Sequence, residues 1–144
     1  DDKTGAISTA PENHDLMTRK RARKIANIEV PDLEVIGDKD DAELLIVGFG
    51  STYGHLRAAM DEMRAQGKKV AMAQFRYINP LPKNTAKVLL KYPKVVVAEQ
   101  NMGQLAGYLR MKVDNFVPYK FNEVKGQPFN TSALVEYFTS IINK

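Results

Sequence analysis

The stretch Glu43-Leu-Leu-Ile-Val-Gly-Phe-Gly-Ser-Thr-Tyr-Gly54 decides the fold. Its first half is a short continuous apolar run with β-branched content, the pattern of a strand buried on both faces. Its second half breaks into glycines at 48, 50 and 54 and opens a helix over about 54–66, with Leu56, Met60 and Met63 at i, i+4 and i+7 and Gly67 as its stop. A strand buried on both faces that turns at glycine into an amphipathic helix is the start of a βαβ unit.

The same alternation continues outward. "KVAMAQFRY" reads as a strand, "KNTAKVLLKY" as a helix, "KVVVAEQ" as a strand and "GQLAGYLRMKV" as a helix. "YKFNEV" is a fourth, shorter strand whose polar alternation admits an antiparallel edge position. The closing "TSALVEYFTSIINK" carries Leu134, Val135, Phe138, Ile141 and Ile142 as an amphipathic stripe. Four strands alternating with four helices predict right-handed crossovers and a three-layer α/β/α domain with a mostly parallel sheet over residues 41–144.

Residues 1–40 read differently. "TAPENHDLMTRKRARKIANI" predicts a helix, with Thr9 and Glu12 as a capping box around Pro11 and a thin apolar stripe of Leu16 or Met17, Ile25 and Ile28. Arg19, Lys20, Arg21, Arg23 and Lys24 concentrate the positive charge of a chain whose net charge is +4. No aromatic side chain is interleaved to stack on bases, so the run reads as a solvated helix face rather than a nucleic-acid site. "EVPDLEVIGDKDDAE" then reads as a connecting arm. The first residue is not methionine, and the chain reads as a piece of a longer polypeptide.

Composition narrows the chemistry. The 144 residues are 44% hydrophobic and 26% charged, as in an ordinary globular domain. No run approaches the roughly 18 apolar residues of a membrane span, and no secretory signal is evident, so a soluble, cytoplasmic protein is expected, with no membrane partner. There is no cysteine, which removes disulfides, cysteine-ligated iron–sulfur clusters and thiol nucleophiles. His14 and His55 have no partner at metal spacing. No catalytic residue and no metal ligand is assigned.

Ligands of such sheets sit beyond the carboxyl ends of the strands, which points to three loops. "GFGSTYG" offers Gly50, Ser51 and Thr52 at a helix start, for close packing and capping, for an anion or nucleotide, or for a subunit contact. Tyr53 stands where the dinucleotide fingerprint has its third glycine, and there is no P-loop lysine. "RYINPLPKN" offers Arg76 and Asn79, either for a carboxylate or phosphate or for a salt bridge or interface. "EQNMGQ" places Glu99, Gln100, Asn101 and Gln104 around Gly103 at another helix start, where the carboxylate can be a general base, a hydrogen-bond anchor or a subunit contact.

At these loops the sequence resembles a known family. "VGFGSTYGHLRAAMDEMRAQGKKVAMAQFRYINPLPKN", "KVVVAEQNMGQLAGYLR" and "NEVKGQPFNTSALVEYF" together are similar to the C-terminal region of the alpha subunit of 2-oxoglutarate:ferredoxin oxidoreductases. More broadly they resemble the transketolase C-terminal-like domain of the 2-oxoacid:ferredoxin oxidoreductases. The arm is similar to the segment joining that domain to the pyrimidine-binding domain upstream. The resemblance implies a complex that oxidatively decarboxylates 2-oxoglutarate with coenzyme A to succinyl-CoA and passes electrons to ferredoxin. It implies thiamine diphosphate, magnesium and iron–sulfur clusters held elsewhere in the complex, and the upstream domain and a beta subunit as partners. The fragment itself is expected to bind none of these cofactors and to be inactive alone. Gly50, Ser51, Thr52, Arg76, Asn79, Glu99, Asn101, Gly103 and Gln104 are then binding or interface candidates. The alternative is an α/β nucleotide- or anion-binding module using the glycine loop and Arg76.

Overall fold

A computed structural model describes residues 1–144. The chain divides into two units, one of Asp1–Pro31 with Tyr77–Pro82 and one of Asp32–Arg76 with Lys83–Lys144.

In the first unit, helix α1 spans Pro11–Ala26. Pro11 takes the first helical position, where its missing N–H costs nothing, and this makes Ala10 the N-cap. Thr9 therefore stands one residue too early, and the expected capping box does not form: no side chain caps the helix. No residue of α1 is buried. Leu16, Ile25 and Ile28 are all exposed, so the thin apolar stripe covers no core within this unit.

The second unit is built on a five-stranded sheet. Its elements are β1 (Val35–Gly37), β2 (Leu44–Phe49), α2 (Tyr53–Ala65), β3 (Val70–Phe75), α3 (Thr85–Leu89), β4 (Val95–Glu99), α4 (Gln104–Lys112), β5 (Tyr119–Asn122) and α5 (Thr131–Ile142). The strand order is β1-β3-β2-β4-β5. Strands β2 to β5 are mutually parallel, and β1 pairs antiparallel with β3.

Two sequence expectations change here. The stretch read as a connecting arm contains a strand, β1, so the sheet has five strands rather than four. Its three residues are too few to show a period, and only pairing with β3 defines them. The last strand, β5, is an edge strand as expected, but runs parallel to β4. Helix α4 returns the chain over the sheet before β5 begins, and such a crossover delivers a parallel strand.

Both faces of the sheet are buried. On one, Leu44, Ile46, Val70, Met72, Val96 and Ala98 meet Leu56, Met60 and Met63 of α2 and Leu134, Phe138 and Ile141 of α5. Alternation sends Leu45, Val47, Ala71, Ala73, Val95 and Val97 to the other face, where they are equally buried. Leu89 of α3 and Leu105, Ala106 and Leu109 of α4 are also buried, and α4 packs on β4. This is the three-layer arrangement expected from strands without a polar side.

From β2 the chain steps to β3 on one side; from β4 it steps to β5 on the other. The direction reverses between β2 and β4, so the loops that follow them diverge and leave a gap at the carboxyl edge of the sheet.

Candidate functional site

A cleft of about 240 Å³ occupies that gap, lined by Phe49, Gly50, Ser51, Thr52, Ala98, Glu99, Gln100 and Asn101. Two of the three loops singled out in the sequence thus meet at one cleft. Gly103 and Gln104 stand just outside its lining, at the start of α4. Arg76, directly after β3, is exposed and lies outside the lining. Asn79 belongs to the first unit.

The α4 side of the cleft is closed by its own side chains. Glu99, only 4% exposed, reaches from the end of β4 and accepts hydrogen bonds from the Leu105 N–H at 2.6 Å and the Ala106 N–H at 3.0 Å, one on each oxygen. The Asn101 side-chain oxygen accepts from the Gly103 N–H at 2.7 Å and the Gln104 N–H at 3.1 Å. The Gly107 N–H bonds to the Gly103 carbonyl. Every amide in the first turn of α4 is therefore satisfied, and a carboxylate sits where the helix dipole favours negative charge. Gly103 makes the turn possible: its φ of 98° is left-handed, and a Cβ there would press on Asn122 at 3.0 Å. Of the roles open to Glu99 from sequence, the geometry is that of a hydrogen-bond anchor.

The α2 side is arranged in the opposite sense. A 3₁₀ turn, Gly50–Thr52, leads into α2, and no side chain accepts from its amides. Side chains donate to its carbonyls instead: the Thr52 hydroxyl to Phe49 O at 3.1 Å, and the Gln74 amide nitrogen to Gly50 O at 3.0 Å. Thr52 is buried, while Ser51 is exposed. Phe49 and Tyr53 are 41% and 45% exposed, and Met102 on the facing loop is 81% exposed, giving this edge an apolar rim. Gly48, beneath the turn, has no room for a side chain, since a Cβ would lie 2.4 Å from Leu56 Cδ1 and 2.5 Å from Gln74 Oε1.

No lysine or arginine lines the cleft, and its one carboxylate is already engaged. The groups left to meet an outside molecule are the Ser51 hydroxyl, the Asn101 amide nitrogen, the Gln100 side-chain oxygen and the Phe49 ring; the Gln100 amide nitrogen already donates to Gln127 O at 2.7 Å. Sequence reading placed Gln100 in the third loop without making it a candidate, and missed Phe49 and Gln74. Gln74 carried a signal, as the one polar side chain in the strand "VAMAQF".

Residues 42–131 match the pyruvate:ferredoxin oxidoreductase core domain II family. The chain belongs to that family. Among curated relatives, domain II here is 54% identical over 109 residues to the 2-oxoglutarate oxidoreductase subunit KorA of Mycobacterium tuberculosis, covering 76% of this chain and 17% of the relative. It is 28% identical over 150 residues to the 2-oxoacid:ferredoxin oxidoreductase subunit alpha of Saccharolobus solfataricus, covering 99% of this chain and 24% of the relative. The chain thus spans about a sixth to a quarter of the length of these relatives. Among solved structures, the 2-oxoglutarate:ferredoxin oxidoreductase of Magnetococcus marinus, with 2-oxoglutarate, coenzyme A and succinyl-CoA bound, superposes with a TM-score of 0.86 at 30% identity, over 97% of this chain and 25% of that one. A split-gene transketolase shares the fold at a TM-score of 0.58 and 16% identity, over 81% of this chain and 44% of that one. The transketolase C-terminal-like fold expected from the sequence is therefore the fold of domain II.

Proposed function

We propose that this chain is the domain II portion of the alpha subunit of a 2-oxoglutarate:ferredoxin oxidoreductase. The complete enzyme oxidatively decarboxylates 2-oxoglutarate with coenzyme A to succinyl-CoA and reduces ferredoxin in the cytoplasm. The observation that carries this reading is the 54% identity to a 2-oxoglutarate oxidoreductase subunit, far above the identity to the 2-oxoacid subunit of S. solfataricus.

Within that enzyme the domain serves assembly and borders the active site without supplying catalysis. Its carboxyl-edge cleft supports this role: an apolar rim over neutral hydrogen-bonding groups suits a protein surface better than a multiply charged cofactor. Thiamine diphosphate does not fit the cleft, because no cation meets a diphosphate there and both Glu99 oxygens are held by α4. That cofactor, its magnesium and the iron–sulfur clusters belong to other parts of the complex. Gly50, Ser51 and Asn101 face the neighbouring domain, the beta subunit or coenzyme A, with the buried Thr52 holding the turn behind them. Glu99, Gly103 and Gln104 shape the cleft wall, and Arg76 and Asn79 contact the same neighbours from the loop after β3. The arm ahead of β1 links the domain to the one upstream.

The test is turnover by the complete enzyme with 2-oxoglutarate, pyruvate and a branched-chain 2-oxoacid, each with coenzyme A and ferredoxin. Preference for 2-oxoglutarate is expected; preference for pyruvate would overturn the substrate.

One observation favours the nucleotide- or anion-binding reading: the amides of the Gly50–Thr52 turn have no side-chain acceptor, and Arg76, one residue beyond the Phe49–Phe75 register pair, makes no ion pair. Saturable thermal stabilisation by NADP, ATP or coenzyme A that disappears in Arg76→Ala would establish it.

A further inference from the structure

Gln74 stands opposite Gly48 in the β2–β3 register, and its side chain crosses the space that the absent Cβ leaves. Its amide nitrogen donates to Gly50 O at 3.0 Å, while its Oε1 is buried with no hydrogen-bond partner. A buried acceptor without a partner costs stability, and an apolar side chain of similar size would fill the place without that cost. Packing alone therefore does not account for a glutamine here. The bond to Gly50 does.

Gly50 needs such a hold. Its φ of 68° is left-handed, and nothing lies within 4 Å of where its Cβ would be, so no packing from that side keeps the turn in place. Besides the local bond from Thr52 to Phe49, the Gln74 amide is the one side-chain tie on the turn, and it comes from a buried central strand. We infer that Gln74 is a positioning residue that fixes the Gly50–Thr52 turn, and with it the α2 side of the cleft. Its effect on turnover rests on the function proposed above; its effect on the turn does not.

The test compares Gln74→Met, which removes donor and acceptor, with Gln74→Glu, whose ionised carboxylate keeps the length but cannot donate. In the full 144-residue chain, amide exchange at Ser51–Tyr53 is expected to quicken about tenfold in both variants, the loss of one modest hydrogen bond. The melting temperature of Gln74→Met should stay level or rise, since the orphaned acceptor is gone. In Gln74→Glu, protection should return as the pH falls and the introduced carboxyl regains a proton to donate. A lowered melting temperature with unchanged exchange at Ser51–Tyr53 would overturn the inference and leave Gln74 a packing residue. In the complete oxidoreductase the same variants should raise KM for 2-oxoglutarate or coenzyme A several-fold with kcat little changed. Quickened exchange with an unmoved KM would sustain the tether and overturn the part of the proposed function that sets this cleft beside the active site.

Discussion

Helices α2 and α4 both start at the cleft between β2 and β4, and the side chains around them do opposite work. At α4, Glu99 and Asn101 accept from the amides and consume every donor of the first turn. At α2, Thr52 and Gln74 donate to carbonyls and leave the amides without a side-chain acceptor. The α4 wall is thus a finished structural joint, while the α2 wall has no side-chain cap and leaves the Ser51 hydroxyl exposed. Two loops that read alike in sequence, each glycine-bearing and each opening a helix at the same sheet edge, differ in whether a strand-end carboxylate is present to close them.

The largest effect should come from breaking the α4 joint. Glu99→Ala strands two buried amides, and urea denaturation should show a loss of about 2–4 kcal/mol. Glu99→Gln, which keeps an acceptor oxygen, should lose less. A loss below about 0.5 kcal/mol for the alanine variant would mean that other groups finish α4.

Next comes Gly48→Ala, which forces a methyl against Leu56 and Gln74 under the α2 turn. Overpacking of this kind costs about 1–3 kcal/mol and should appear as a lower denaturation midpoint.

Asp38, away from the cleft, is the control that should leave the difference between the two walls intact. It accepts from Arg64 at 2.9 Å and from the Val70 N–H at 3.1 Å, and chiefly the Arg64 hydrogen bond holds its carboxyl below the ordinary value of 3.8. Because the folded pKa is depressed, the stabilisation is complete well above that value and fades as the pH falls through the folded pKa. Wild type and Asp38→Asn should therefore differ in stability near pH 6, and the difference should shrink as the pH falls below 3.8 toward the depressed folded pKa.

The smallest effect belongs to the open wall. Ser51→Ala removes an exposed hydroxyl that bonds nothing within the chain and should change stability by less than about 0.5 kcal/mol. A larger loss would show that the α2 wall is closed from within after all.

The fold was largely legible because the strands β2, β3 and β4 are apolar on both faces and the helices between them carry one stripe each. The strand β1 was not, since Val35–Gly37 gains its identity from β3 rather than from any pattern of its own. The cleft was legible as a place, through the rule that ligand loops follow the carboxyl ends of strands. Its chemistry was not: only three-dimensional placement brings the amides of Leu105 and Ala106 onto the Glu99 oxygens, and separates that anchor from a free general base. Gln74 shows the same limit, for a polar residue in an apolar strand signals a reason without naming it. The capping box at Thr9 failed because Pro11 moved the helix start by one residue.

The most direct measurement is ferredoxin reduction driven by 2-oxoglutarate and coenzyme A, made on the complete enzyme and on the 144-residue chain alone. Turnover by the complete enzyme and none by the chain alone is the expected result. Decarboxylation of 2-oxoglutarate by the chain alone, supplied with thiamine diphosphate and magnesium, would contradict the proposed assembly role.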